Sequence, residues 1–453
     1  MEQNKVFKTF FDCVKDYNLI TKGVDDKILV ACSGGSDSMT LLDCLYRIKD
    51  RFATKIIPVH INHLLRQEAT KEAEELAKEI KRRYGLTLFV ISCDVKKNAA
   101  LKKIGVEECG RNLRLYILGE VAHRIGATKI ALGHNLNDQA ETLLFRMTRG
   151  TGYRGLCGMK PISDKFIRPL LFVEKAEIEA YVKENGLFFI DDYSNYELCY
   201  DRNILRHKVL PQLVKINKRA VNHLVELSKK SWELETFLSR QVNDIIDANL
   251  IAQSRDFLVF RSKLLEKDQF LAKEALRAVY ERFKGSIAGI DAAHIENFYL
   301  NALAKRFFKL QFPHDVVMIK SSDIIFVSKK SFNVPKYEFF AKNGINQLPF
   351  GLGKFELKAL KGDVSALTIR GFREGDIYMG KKLKTLFYDA KIPQVLRQLV
   401  PLVALGNEVV FLPLCEKNET FFENSSLSFK INFLEGELYS KMIKREICNK
   451  SAS

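Results

Sequence analysis

The chain has 453 residues, enough for two or three domains, and its 47% apolar fraction is sufficient to fill their cores. Its 72 basic and 55 acidic side chains leave a net charge of +17, which favours a polyanionic partner such as nucleic acid, although an AT-rich coding sequence that inflates lysine gives the same bias. Nine scattered cysteines without a CxxC pair exclude a zinc ribbon or disulfide framework, and the absence of a signal peptide or long apolar run predicts a cytoplasmic protein with no membrane contact.

Strand and helix patterns alternate in the first 215 residues. The short β-branched runs KILVA, KIIPVHI, LTLFVI and KIALG predict strands at 27–31, 55–61, 86–91 and 129–133. Amphipathic stretches predict helices near 38–49, 70–84, 107–125 and 137–148. This alternation is typical of βαβ units around a parallel sheet, so we predict an α/β domain over residues 1–215.

The pattern changes after residue 206. Charged amphipathic stretches at 220–248 and 266–283 predict a helical domain over residues 216–335. From about residue 335, short alternating runs separated by glycines (LPFGLGKFELKAL, EVVFLPL and LSFKINF) predict a small α+β domain over residues 336–453.

A loop with almost no side-chain bulk follows the first predicted strand, in the stretch ILVACSGGSDSM at 28–39. Ligands bind at the carboxyl ends of parallel strands, where a helix N-terminus offers free N–H groups, and glycines let the backbone approach an anion closely. An ordinary strand-to-helix turn with a Ser or Asp cap is the alternative. The loop is not a Walker A sequence, because no Gly-Lys-Ser/Thr closes it. The predicted phosphate-binding residues are Ser33, Gly34, Gly35, Ser36, Asp37 and Ser38.

The segment SGGSDS resembles the SGGxDS pyrophosphate loop of the N-type ATP pyrophosphatases. Those enzymes cleave ATP between its α and β phosphates and use AMP to activate a substrate oxygen. The resemblance implies a parallel-sheet ATP-pyrophosphatase domain and the cofactors ATP and Mg²⁺. It also implies that Asp37 helps to hold the metal ion.

A second motif, ALGHNLNDQAET at 131–142, follows the strand KIALG. Asp138 and Glu141 are three residues apart and therefore lie on one helical face, toward the crevice of the glycine loop. A helix-capping pair, with Asp138 as cap, has the same spacing. With RGTGYRGLCGM at 149–159, the string is similar to the GHxxDDQxET…RGTG signature of tRNA(Ile)-lysidine synthetases. Asn137 stands where that family usually has the first of two aspartates.

Two further segments resemble the same family. EECGRNLR at 107–114 is similar to its ExxxRxxRY-like helix, which implies phosphate contacts for Arg111 and Arg114, or alternatively a surface pair of Glu107 with Arg111. DDYSN at 191–195 with YDRNILRH at 200–207 resembles its DxSN…RNxxR segment. The implied substrate-side residues of that segment are Arg202, Asn203 and Arg206.

The C-terminal part is similar to the distal domain of the longer members of this family. The matching stretches are FREGD at 372–376, KKLKTLF at 381–387 and residues 391–402. A solvated basic face is the alternative for any single lysine, but the cluster implies a surface that tracks tRNA phosphates. The implied tRNA-contacting residues are Arg373, Lys381, Lys382, Lys384 and Arg397.

The resemblance implies one reaction: ATP-dependent ligation of L-lysine to carbon 2 of the wobble cytidine of a CAU-anticodon tRNA(Ile), through an adenylated cytidine, with release of AMP and pyrophosphate. The implied catalytic residues are Asp37, Asp138, Glu141 and Arg111, with Asp138 the first candidate base and Glu141 the second. The implied partners are the tRNA and L-lysine; no obligate protein partner is evident, and a homodimer is left open.

Three other functions remain as alternatives. A tRNA thiolase shares the loop and the AMP-activation step, but usually needs paired cysteines, of which Cys109 with Cys157 or Cys199 is the candidate set. A small-molecule amide ligase of the asparagine or GMP synthetase kind usually carries a glutaminase cysteine, whereas position 2 is Glu2. A nucleotide-sensing or RNA-binding module is disfavoured by the presence of both Asp37 and Asp138.

Overall fold

The computed structural model describes residues 4–21, 26–64, 68–190, 201–332, 336–389, 392, 394–414, 419–423, 427–436 and 439. The chain forms two compact units, Met1–Thr236 and Phe237–Ser453. The division into three domains with boundaries near 215 and 335 stays a prediction. Among the described residues, no helix combines the length and hydropathy needed to cross a membrane.

A six-stranded sheet forms the centre of the first unit. Its strands are β1 (Lys27–Ala31), β2 (Lys55–Asn62), β3 (Phe89–Ser92), β4 (Lys129–Ala131), β5 (Ile162–Ser163) and β6 (Phe166–Ile167). They are arranged in the order β3-β2-β1-β4-β6-β5, and all neighbouring pairs are parallel except β5 with β6. The predicted parallel-sheet α/β fold is confirmed, with β5 as an antiparallel edge strand.

Helices cover both faces of this sheet. The described helices that begin in the first unit are α1 (Lys5–Asp16), α2 (Ser36–Phe52), α3 (Ala69–Tyr84), α4 (Val95–Lys102), α5 (Val106–Ile125), α6 (Leu136–Thr148), α7 (Tyr153–Leu156), α8 (Lys175–Glu184), α9 (Asp201–Ile204), α10 (Leu210–Ile216) and α11 (Ala220–Asn249), the last of which continues into the second unit. Ile28 and Val30 of β1 pack with α1, α2, α3 and α8, whereas Leu29 packs with α5. Because alternate strand residues point to opposite faces, β1 is buried on both sides, which explains its continuous apolar sequence.

The strand order reverses at β1, which lies between β2 and β4. Chain segments leaving the carboxyl ends of β1 and β4 therefore diverge and leave a crevice between them. The glycine loop follows β1, and the GHNLND segment follows β4. The fold thus brings the two main sequence motifs to one place.

The region predicted to be helical also contains a five-stranded antiparallel sheet. Besides α12 (Gln269–Lys284) and α13 (Ala292–Ala304), it holds β7 (Leu250–Gln253), β8 (Phe257–Arg261), β9 (Phe307–Phe312), β10 (Val316–Ser321) and β11 (Ile324–Lys329). Their order is β7-β8-β11-β10-β9. One face packs against α12 and α13 through residues such as Leu276 and Phe298.

Two further sheets form the C-terminal part of the second unit. One has the order β12-β15-β18-β19-β16-β17, with β12 (Glu338–Phe340), β15 (Thr368–Arg370), β16 (Ile377–Tyr378), β17 (Lys381–Lys382), β18 (Leu402–Leu405) and β19 (Glu408–Phe411). The other has the order β13-β14-β21-β20, with β13 (Gly344–Gln347), β14 (Gly353–Lys361), β20 (Glu419–Glu423) and β21 (Ser428–Glu435). With α14 (Leu383–Asp389), they form the predicted small α+β part.

Candidate active site at the carboxyl edge of the parallel sheet

The loop after β1 is held in place by hydrogen bonds within the loop and by one from Ile190. Gly34 has φ +94°, a left-handed conformation that favours glycine, and its carbonyl accepts a bond from the Ile190 N–H at 2.9 Å. Ser38 Oγ accepts from the Gly34 N–H at 3.2 Å and donates to the Gly35 carbonyl at 2.9 Å. The cap of α2 is Gly35, which has no side chain to satisfy the first N–H groups, so the alternative of a Ser or Asp cap is wrong. Those N–H groups suit an anion.

Asp37 lies at the centre of a small polar cluster. Its Oδ2 accepts from Lys175 Nζ at 2.8 Å, and the same ammonium group donates to Ser36 Oγ at 2.8 Å. Its Oδ1 accepts from Asn135 Nδ2 at 3.1 Å. A Cβ on Gly133 would lie 3.2 Å from the Asp37 backbone, so glycine permits the close approach of the two motifs.

Asn135, not Asp138, caps the N-terminus of α6. The Asn135 side chain accepts from the Asp138 N–H at 3.0 Å, and the Asp138 carboxylate accepts from the Asn135 N–H at 3.0 Å. The predicted alternative of a cap at Asp138 is therefore wrong, because Asp138 is the third helical residue of a capping box. Asn135 therefore bonds to both carboxylates. Its side-chain amide donates to Asp37, and its backbone N–H donates to Asp138.

Arg206 joins the two carboxylates of the second motif. Its guanidinium donates to Glu141 at 2.7 and 3.0 Å and to Asp138 Oδ1 at 3.0 Å. Burial raises the pKa of Glu141, Arg206 opposes that shift, and the neighbouring charge of Asp138 adds to it. The structure thus brings the predicted residue Arg206 to Asp138 and Glu141, which lie 68 and 65 residues earlier in the sequence.

A cavity of about 180 Å³ opens beside these carboxylates. His134 lines it, and its Nδ1 is buried without a hydrogen-bond partner among the described residues. Burial, together with the positive charges of four nearby arginines, lowers the pKa of His134 to about 3. The ring is therefore neutral at physiological pH and available to a ligand. Predicted residues that also line the cavity are Arg111, Asp138, Glu141, Arg202, Asn203 and Arg206.

A second cavity of about 380 Å³ is strongly basic. Burial, with a contribution from Arg111, lowers the pKa of Arg168 in its wall to about 10. Met159 lines both cavities. Among the described residues that line it, Glu235 is acidic and five are cationic, and this excess of positive charge suits a nucleic acid backbone. The cationic lining residues are Arg111, Arg146, Arg154, Lys160 and Arg168.

The segment at 157–159 is fixed by three side chains. Gln139 accepts from the Met159 N–H at 2.7 Å, and Arg146 donates to the Gly158 carbonyl at 3.0 Å. Trp232 donates its indole N–H to the Cys157 carbonyl and packs against Tyr17 and Phe172. These hydrogen bonds fix the position of residues 157–159, the wall that the two cavities share through Met159.

Other predicted residues lie outside these cavities. Arg114 is exposed on α5, although its charge contributes to the lowered pKa of His134. The DDYSN segment at 191–195 and the Glu107 side chain lie outside the described residues.

In the second unit, the predicted basic cluster divides into two groups. Arg373, Lys384 and Arg397 line a cavity of about 750 Å³ together with Lys336. Lys381 and Lys382 form the short edge strand β17 and are exposed. Arg370 and Asp376 below this surface form a fully buried bidentate ion pair at 2.8 Å, which fixes the turn that carries Arg373.

Sequence reasoning missed four residues that the fold places at the first unit's site. His134 and Asn135 lie inside the quoted GHNLND string, where their position directly after a strand was the available signal. Lys175 and Arg168 belong to no pattern that was recognised, and only the tertiary structure brings them to the crevice.

A glycine loop at the switch point of a parallel sheet, with an aspartate at its helix start, defines a PP-loop nucleotide-binding protein. Residues 11–213 match the family model described as PP-loop domain, and residues 378–429 match the TilS substrate C-terminal domain.

Known proteins similar to this chain include the tRNA(Ile)-lysidine synthase of Caldanaerobacter subterraneus subsp. tengcongensis, which is 31% identical over 92% of this chain and 94% of its own length. The enzyme of the same name from Thermosipho africanus is 32% identical over 95% of this chain and 99% of its own. The chain belongs to the tRNA(Ile)-lysidine synthase family. Among solved structures, the U34-tRNA thiolase NcsA from Methanococcus maripaludis covers 51% of this chain and 79% of its own at TM-score 0.44 and 17% identity, too low a similarity to support a conclusion.

Proposed function

We propose that this chain ligates L-lysine to carbon 2 of the wobble cytidine of a CAU-anticodon tRNA(Ile), converting ATP to AMP and pyrophosphate. One observation carries the proposal within the family assignment. Asn135 connects Asp37 of the nucleotide loop to Asp138 of the second motif at 3.1 and 3.0 Å, so a nucleotide site and a carboxylate-lined cavity share one crevice. Such an arrangement suits two consecutive steps on one activated substrate.

In the first step, the carbonyl oxygen on carbon 2 attacks the α-phosphorus of ATP. A bond from that oxygen to phosphorus forms, the bond from phosphorus to the bridging oxygen breaks, and pyrophosphate leaves with the electron pair. The N–H groups at the start of α2, which no capping side chain satisfies, would bind the phosphates. Asp37 fits a Mg²⁺ ion, which proteins commonly bind through one or two carboxylates and substrate phosphates; when bound, the ion would neutralise charge on the pyrophosphate.

In the second step, the ε-amine of lysine attacks carbon 2. A carbon–nitrogen bond forms, the bond from carbon 2 to the oxygen of AMP breaks, and AMP leaves. The amine has an ordinary pKa of about 10.4 and must lose a proton, for which Asp138 and Glu141 are the candidate bases. The raised pKa of Glu141 favours it as a proton acceptor, whereas the Asp138 carboxylate also accepts from the Asn135 N–H in the capping box of α6. The guanidinium of Arg206 forms ion pairs with both carboxylates. It must move away from them, or turn toward the substrate, before either carboxylate can accept a proton.

The basic residues provide the remaining contacts. Arg111 and Arg202 line the 180 Å³ cavity and would hold phosphate or the activated base there. The exposed lysines of the second unit would attract the tRNA backbone. We place this activity in the cytoplasm, where tRNA is modified.

The thiolase alternative has no support from the described cysteines. Cys109 packs with Val95 and Ala99, whereas Cys157 packs with Met159 and Trp232 in a different cluster. Cys199 lies outside the described residues.

The test is incubation of the purified protein with ATP, Mg²⁺, a CAU-anticodon tRNA(Ile) transcript and radiolabelled lysine. We expect label in the RNA and one AMP for each lysine incorporated. A transcript with guanosine at the wobble position is the matched control and should stay unlabelled. Formation of ADP, or no label in the cytidine-containing transcript, would contradict the proposal.

A further inference from the structure

The PP-loop contains no lysine, although phosphate-binding loops of the Walker type use one to hold the phosphates. The structure supplies a lysine from elsewhere, because Lys175 Nζ lies 2.8 Å from both Ser36 Oγ and Asp37 Oδ2. We propose that Lys175 is a further catalytic residue of the first step, where it binds the departing pyrophosphate. This inference rests on the proposed function.

Lys175 is presented by a rigid support. It is the first residue of α8, whose N-terminus is closed by a capping box between Glu174 and Glu177. α8 packs on α2, and the hydroxyl of Tyr181 donates to the buried carboxylate of Asp43 on α2 at 2.7 Å. Because α2 also begins with the glycine loop, this bond fixes the distance between the loop and Lys175.

Asn137 is a positioning residue for Lys175. Its side-chain oxygen accepts from the Lys175 N–H at 3.1 Å, which connects the start of α6 to the start of α8. An asparagine supplies this acceptor as well as an aspartate does, without adding a negative charge beside the phosphates. Asn137 can therefore hold the Lys175 backbone in the same position as an aspartate would.

The pair of Lys175 and Asp37 is suited to ligand exchange. The two side chains are 36% and 30% exposed, so an incoming phosphate reaches the ammonium group directly. Ion pairs this exposed contribute little to stability, which makes a purely structural role a poor explanation for a lysine placed at the loop. Phosphate oxygens would replace Asp37 as the partner of Lys175 and leave Asp37 for the metal ion.

The experiment compares Lys175→Gln, Lys175→Arg and the matched control Lys183→Gln, an exposed lysine on the same helix. The wild-type protein is first assayed for lysine incorporation. AMP formation in the presence of tRNA and inhibition by added pyrophosphate are then measured for each variant. We expect Lys175→Gln to lower kcat for AMP formation about 100-fold, the usual scale for losing one preorganised charge stabiliser. Its inhibition constant for pyrophosphate should rise at least about tenfold.

Lys175→Arg should recover most of both losses, and Lys183→Gln should match the wild type. Asn137→Ala should reduce kcat with little change in the KM for ATP, and Asn137→Asp should restore it. Wild-type AMP formation and pyrophosphate inhibition in Lys175→Gln would overturn the inference. A wild type that forms AMP but incorporates no lysine would instead refute the proposed function, while inhibition of its AMP formation by pyrophosphate would still test the Lys175 contact.

Discussion

Charged side chains are organised differently in the two units. At the crevice of the first unit, Lys175 is paired with Asp37, and Arg206 bridges Asp138 and Glu141. On the second unit, Lys381, Lys382 and Lys384 are exposed on an edge strand and the adjoining helix. A reaction centre requires charges at fixed positions, whereas attraction of a polyanion requires only positive surface charge. We therefore expect substitutions in the crevice to change the chemistry and substitutions on the surface to change binding.

The largest expected effect tests the crevice. Asp138→Asn and Glu141→Gln should each lower the rate of lysine transfer by about 100- to 10,000-fold, because loss of a general base removes that much acceleration. Affinity for tRNA should stay within about threefold. Single-turnover assays with labelled lysine, together with filter binding of tRNA, provide the two measurements.

Glu120→Gln, an exposed change on α5, is the control for a lost carboxylate. The comparison between the two units breaks down if both crevice variants keep wild-type transfer, or if their defect lies only in tRNA affinity.

The next effect concerns the support of the basic surface. Asp376→Asn should destabilise the sheet containing β15 and β18 by about 3–5 kcal/mol, because it leaves the buried guanidinium of Arg370 without its counter-charge. Hydrogen exchange of the β15 and β18 amides measures this loss. The double change Arg370→Met with Asp376→Leu should be less destabilising than the single one. Unchanged protection in Asp376→Asn would show that this ion pair is dispensable.

A smaller effect is expected when surface charge is removed. Changing Lys381, Lys382 and Lys384 to glutamine should weaken tRNA binding about 10- to 100-fold. The slope of log K against the logarithm of the salt concentration should become less steep by about one for each lost phosphate contact. Turnover at saturating tRNA should not change. The control is Lys15, Lys71 and Lys78 to glutamine, which removes the same charge from exposed sites of the first unit. Equal losses in both triple variants would mean that net charge, and not this surface, controls binding.

The effect of His134 is negligible near neutral pH and appears only as a pH dependence of stability in acid. Its folded-state pKa is about 3, below the ordinary 6.5, so the unfolded chain binds a proton that the folded protein excludes. Its contribution is fully present above pH 6.5 and is lost as the pH falls toward 3. Relative to His134→Gln, the wild type should lose up to about 1.4 kcal/mol per pH unit over this range. Urea titrations at several pH values measure the difference.

The exposed His123→Gln should leave the slope of the wild type unchanged. Parallel pH profiles for the wild type and His134→Gln would show that the His134 ring is solvated in the folded protein.

The α/β fold was predictable because its central strands are buried on both faces. β1 was predicted at 27–31 and is observed at Lys27–Ala31, and α3 was predicted within one residue. The sheet over residues 250–329 was not predicted, since short apolar runs such as IIFVSK do not distinguish a strand from a buried helical segment. The two-residue strands β5 and β6 are too short to give any periodicity.

The candidate site was predictable only where its residues are contiguous. The loop after β1 and the segment after β4 each carry a local pattern, and sheet topology brings them together. Lys175 is 138 residues from Asp37, and its position depends on the packing of α8 against α2, which no local pattern encodes. The assigned roles of Arg111, Arg202 and Arg206 toward substrates stay predictions.

The sole tryptophan gives the enzyme an intrinsic optical reporter. Trp232 donates to the carbonyl of Cys157, two residues before Met159 in the wall between the cavities, so its emission originates from a single defined environment. Displacement of that wall by an entering anticodon would alter the indole's hydrogen bond and its quenching. Stopped-flow fluorescence would therefore follow arrival and departure of the RNA in real time, without an attached dye.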